Sequence, residues 1–188
     1  AQEGQTRYQI VGPENPTAVD EYASRELALY LEQMTGAAFP VVAPDQMREA
    51  GPSVFIGLSE PALRYLGDDP LGPLHEQEHV ARSIDQNVFL YGKGVHGNLH
   101  AVMEFLEHSL GWRWYSIFEP PMIPSRPTLT LPPFERRKGF SFLYRQVDLQ
   151  RGLDFYYQQR TNMGFDDRVR SLERRYGPSN LSHFVSAM

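Results

Sequence analysis

The stretch 88–115 limits the fold more than any other part of this chain: an apolar strand run, a glycine-broken turn, an amphipathic helix and a tryptophan-rich exit follow one another without a gap. Val88, Phe89, Leu90 and Tyr91 form a run of strand length, and Gly92, Gly94 and Gly97 interrupt it. Leu99, Val102, Met103, Leu106 and Leu110 recur at helical spacing, which puts them on one face. Gly111 stands where that helix must stop, since a left-handed residue costs glycine least. Asn98, Glu104, Glu107 and His108 fall off the apolar stripe and are expected to face solvent.

Length and composition bound the rest. The 188 residues suffice for one packed domain, or one domain and the start of another. No apolar run is long enough to span a bilayer, and the formal charge of −5 gives no reason to expect nucleic-acid binding. With no cysteine, disulfides and thiolate chemistry are excluded. The charge is unevenly placed: residues 1–132 carry 8 Lys+Arg against 17 Asp+Glu, a net of −9, and residues 133–188 carry 10 against 6, a net of +4. That change of sign marks a domain boundary whose two sides attract, or else uneven solvated surface charge. A chain beginning Ala-Gln-Glu-Gly-Gln suits a mature exported protein, secreted or periplasmic, and equally a trimmed one.

Coarse patterning predicts strands at 6–11, 39–43, 53–57 and 128–131, and a hairpin of 79–84 with 87–91 through Asp85-Gln86. A long helix follows Asn15 as N-cap and Pro16, with Val19, Tyr22, Ala23, Leu27, Tyr30, Leu31 and Met34 on one face, Asp20, Glu21, Arg25 and Glu32 opposite, and Gly36 as its end. Short helical turns are expected near 45–49 and 61–66. The fold class expected is α/β in the α+β sense: a mixed, largely antiparallel sheet with two long helices on one face, over residues 1–132. Beyond it, a strand at 140–145, a helix at 154–163 and a charged helix at 167–176 open a second segment, 133–188.

The block from Gly92 through Gly97, Ala101 to Glu107 and Leu110 to Tyr115 (G-x-x-x-G, then A-V-x-E-F-L-E, then L-G-W-R-W-Y) resembles the N-terminal accessory domain of bacterial α-glucuronidases and of a related, largely uncharacterised glycoside hydrolase-like family. A similar domain precedes the barrel of β-N-acetylhexosaminidases. The resemblance implies a domain without catalytic residues, followed by the first elements of a catalytic (β/α)8 barrel at 133–188. A complete barrel needs roughly 200 residues or more, and 56 follow position 132. The chain is therefore read as a piece of a glycoside hydrolase, inactive by itself, with carbohydrate as partner through the missing barrel. A stand-alone carbohydrate-binding or protein-interaction module is the alternative. An apolar patch left by an incomplete barrel would favour homo-oligomers.

Candidates for chemistry are few. No Asp/Glu pair has the context of an acid and a base flanking a glycosidic bond. Asp166-Asp167 are adjacent, and Glu104 with Glu107 share the helix side expected to be solvated. His96 and His100, four apart, could place two imidazoles together for zinc but lack a third ligand, so no metal is expected. Gly92, Gly94 and Gly97 satisfy G-x-G-x-x-G, yet the hairpin before them is antiparallel and no acidic residue is well placed to follow. A nucleotide would require parallel strands flanking that turn; no cofactor is expected. Trp112 and Trp114 could stack on sugar rings, or pack together under the helix. By the resemblance, Arg145 at the end of the first barrel strand would hydrogen-bond sugar hydroxyls, and His183 falls where the second barrel strand would end. A surface or salt-bridge position is the ordinary alternative for both.

Overall fold

The computed structural model describes residues 1–113 and 121–139. Trp114, Arg145, His183 and the elements expected past 140 lie outside the described residues. The chain divides into two compact units, Ala1–Trp112 with Ile123–Gly139, and Arg113–Met122 with Phe140–Met188. The second unit's described residues form one bridge, in which the Arg113 and Met122 backbones exchange hydrogen bonds of 3.2 and 2.9 Å.

The first unit runs β1 (Gln9–Val11), α1 (Ala18–Thr35), β2 (Val41–Val42), β3 (Ser53–Ile56), α2 (Glu60–Leu66), β4 (His79–Ile84), β5 (Asn87–Gly92), α3 (Gly97–Glu104) and β6 (Glu135–Lys138). A π-helical turn, Phe105–Ser109, prolongs α3. The six strands form one mixed sheet in the order β2-β1-β3-β5-β4-β6. The expected antiparallel majority is not found: β1 pairs parallel with β2 and β3, and β3 parallel with β5, leaving only β4 antiparallel to β5 and β6. The reason is connectivity. A helix long enough to cross the sheet, α1, separates β1 from β2, and such a crossover returns the chain in the same direction.

The sheet is also covered on both faces, where helices on a single face were expected. Register places Val11, Phe55 and Phe89 side by side on one face and Ile10, Val54 and Val88 on the other. The first set packs with Val80, Tyr91, Ala62 of α2 and Leu74; the Phe55 and Phe89 rings stack 5.1 Å apart, and Tyr65 of α2 meets Phe89 at 5.6 Å. The second set lies beneath α1 and α3. Ser53–Ile56 is buried at every position, the signature of a strand enclosed from both sides.

Other local expectations meet the structure unevenly. The hairpin turns at Asp85-Gln86 with Asp85 left-handed, φ 52°. Gly36 ends α1 at φ 73°, and Gly111 is left-handed at φ 85° just past the π turn. The α1 cap is Thr17 rather than Asn15. Its hydroxyl accepts from the Asp20 amide at 3.2 Å and its own amide donates to Asp20 Oδ2 at 2.9 Å, a reciprocal capping box. Asp20 is accordingly buried, not opposed to the apolar face. No strand forms at 128–131; Leu129 instead exchanges backbone hydrogen bonds with Ala1, and the sheet gains its sixth strand past Pro133.

Helix α3 is buried nearly all round, with Gly97, Leu99, Ala101, Val102, Met103 and Glu104 enclosed. It comes so close to the sheet that a Cβ on Gly92 would lie 2.6 Å from the Gly97 carbonyl oxygen. Both partners are backbone and cannot swing aside. Gly97→Ala is therefore expected to lower stability by about 2–3 kcal/mol, whereas a Cβ on Gly12 meets nothing within 4 Å and Gly12→Ala should be close to neutral. Urea unfolding of the two variants beside the parent chain measures the difference; equal stabilities would remove the close-contact account.

Candidate functional site

In a sheet of this kind the carboxyl ends of the parallel strands are the usual place for a ligand. Here Gly12 and Gly57 follow β1 and β3, Gly92 ends β5, and the chain leads from these points into α1, α2 and α3. The residues gathered there are tied to one another. Asp20 Oδ1 accepts from Asn98 Nδ2 at 2.8 Å, and Asn98 Oδ1 accepts from the Gly92 amide at 3.2 Å. Gly57 makes room: a Cβ there would stand 2.7 Å from Asn98 Nδ2. Asn98, expected on the solvent side, thus links the first turn of α1 to the β5–α3 turn.

The glycine turn is occupied in the same way. The Lys93 amide donates to Glu78 O at 2.8 Å, the Gly97 amide to Gly94 O at 3.1 Å, and Lys93 Nζ to Leu74 O at 3.0 Å. β5 is parallel to β3 but antiparallel to β4, so only one flank meets the requirement set for a nucleotide site. A phosphate cradle needs amides pointing outward at a ligand; those of Gly92, Lys93 and Gly97 serve the fold.

Three imidazoles line up beside this turn. The rings of His79 and His100 are 5.8 Å apart and those of His96 and His100 are 6.1 Å apart. His96 and His79 are buried rather than at the surface. Among the described residues no group of His, Cys, Asp and Glu has the geometry to hold a metal ion. Burial pushes the His96 imidazole down to about 4, with the nearby Asp20 carboxylate opposing the change.

Glu104 overturns the expectation that its helix side is solvated. Its side chain is 1% exposed, with Oε1 3.2 Å from Arg136 Nε and Oε2 3.0 Å from Lys138 Nζ and 3.5 Å from His108 Nε2. Burial alone would raise this carboxyl, but Lys138, His108 and Arg136 outweigh it and hold Glu104 below the ordinary carboxylate range. The clue was available in the sequence: Arg136 and Lys138 alternate on a strand, so they share a face. What hid it was the position of β6 beside β4.

Of the residues expected to touch substrate, Trp112 is fully buried, its ring 4.4 Å from that of Tyr30 and tilted by 54°. An indole so placed offers no open face to a sugar. The opposite end of the sheet has an opening of about 950 Å³ lined by Tyr8, Phe39, Val54, Asn87, Phe105 and Phe134, a size in the range of small-molecule sites. Two of its polar side chains are engaged within the fold: Tyr8 donates to Gln86 O at 2.8 Å, and Asn87 Oδ1 accepts from the Ser53 amide at 2.9 Å.

The histidine cluster makes a testable statement about acid. A His96 that stays neutral in the fold but takes up a proton when unfolded stabilises the protein fully above about pH 6.5, and that stability is lost as pH falls towards 4. The loss should approach about 3 kcal/mol. Glu104, also depressed, adds to it below 4.5. Urea midpoints measured across pH 7 to 4 should fall, and His96→Gln should flatten that fall; an unchanged slope in the variant would rule out His96 as its source.

No known family model and no curated protein matches this chain.

Proposed function

We propose that this chain is the accessory, scaffold-forming part of a carbohydrate-active enzyme whose barrel supplies the hydrolysis of glycosidic bonds, in a polysaccharide or a uronic-acid-bearing oligosaccharide. The observation that carries the reading is how the resembling block is used. Its strand, glycine turn, helix, Gly111 stop and Trp112 are all fold-holding parts, with the Gly92, Lys93 and Gly97 amides engaged internally and Trp112 in the core. The carboxylates buried beside it serve the same end: Asp20 is held by Thr17 and Asn98, and Glu104 by Arg136 and Lys138. A general acid must be free to give its proton to a leaving group, and neither is. Arg145 and His183 are the residues assigned here to sugar contact in the assembled barrel, and the parent is read as exported.

No helix among the described residues is long and apolar enough to cross a membrane. The opening at the amino ends of the strands favours a second reading, a stand-alone module that binds a glycan without cleaving it. Two measurements separate the readings. The protein from its native source is expected to have a mass well above 21.6 kDa and to release sugar from aryl glycosides and glucuronoxylan fragments, while the 188-residue chain releases none. A native mass of 21.6 kDa, together with calorimetric glycan binding and no turnover, would replace the scaffold by the binding module.

A further inference from the structure

β6 has little to hold it to the sheet by apolar burial. It is four residues long, pairs among the described residues with β4 alone, and its side chains are exposed or half-buried. Beyond its ladder with β4, the Phe134–Ser83 bonds at its start and the Arg137 bond to Pro73 O, what fastens it is charge. Register sets Arg136 opposite Ala81 and Lys138 opposite His79, on the face turned to α3, and both cations converge on the buried Glu104 carboxylate. The other face carries two ion pairs, Arg82–Glu135 at 3.7 Å and Arg137–Glu78 at 2.6 Å. Glu135 and Arg137 are 61% and 44% exposed, so water and salt weaken those two pairs. Glu104 has no such screening on its own side. A buried carboxylate without its cations is a penalty as well as a lost attraction.

We propose that Glu104 is the latch of β6: its charge, taken up by Arg136 and Lys138, decides whether the strand stays on the sheet edge, while β1–β5 stay paired without it. This inference concerns the first unit alone and holds whether or not the parent cleaves glycans. Hydrogen exchange by mass spectrometry on the 188-residue chain tests it. In Glu104→Gln, exchange across 135–138 should quicken by about ten- to a hundredfold, with β3 and β5 within about twofold of the parent. Lys138→Gln alters a side chain 42% exposed, leaves the core intact, and should quicken the same segment by roughly three- to tenfold. Glu135→Gln should leave it unchanged. The latch is overturned if β6 keeps its protection in Glu104→Gln or Lys138→Gln, if Glu135→Gln frees it equally, or if every strand loses protection together.

Discussion

The backbone contact between Gly92 and Gly97 is the constraint on which the rest of the unit depends. It brings the start of α3 onto the end of β5 at a distance no side chain would allow. With 100° between successive residues, Gly97, His100 and Glu104 fall on one side of that helix. They are the positions that meet Gly92 of β5, His79 of β4, and Arg136 and Lys138 of β6. The apolar residues Leu99, Val102, Met103 and Leu106 lie around the other side and are buried as well. One close approach at a turn therefore sets where a carboxylate two turns later must lie.

This explains what could be read from the chain and what could not. Features that depend on neighbours in sequence were legible: the hairpin from His79 to Gly92, the left-handed Gly36 and Gly111, and the strand–turn–helix order of the central block. An apolar stripe, however, reports only that one side of a helix is packed. It does not reveal that α3 has a second buried side, small and polar, and so the stripe alone puts Glu104 and Asn98 in solvent. The same limit applies to Asp20. As the third residue after Thr17 it reads as a capping carboxylate, but its bond to Asn98 joins positions far apart in sequence.

Strand direction failed for a related reason. Ser53–Ile56 and the run at Val88 are equally apolar in a parallel or an antiparallel sheet, and the choice between them belongs to the crossovers. The short strands β1 and β2, three and two residues long, offer too few positions to decide it. The α2 face was missed because a seven-residue helix and the loop carrying Leu74 give almost no periodic signal. Of the candidate site, Trp112 is buried against Tyr30, while Arg145, His183 and Trp114 lie outside the described residues.

The change of charge sign near position 132 gains a physical meaning from β6. Arg136, Arg137 and Lys138 open the basic part of the sequence, and their partners Glu104 and Glu78 belong to the acidic part. These pairs lie inside a single sheet and one compact unit, where they join an edge strand to β4 and α3. A strand rich in charge is ordinarily a device for keeping other chains off a sheet edge. On β6 the alternation divides that charge between two jobs: Glu135 and Arg137 face one side in exposed pairs, and Arg136 and Lys138 face the other to neutralise a buried group. With β6 in place the buried Glu104 carboxylate has its cations beside it, which offsets the cost that burying a charge carries. The first residues of the basic part therefore neutralise a buried acid of the acidic part, and it is the edge strand that depends on the pairing.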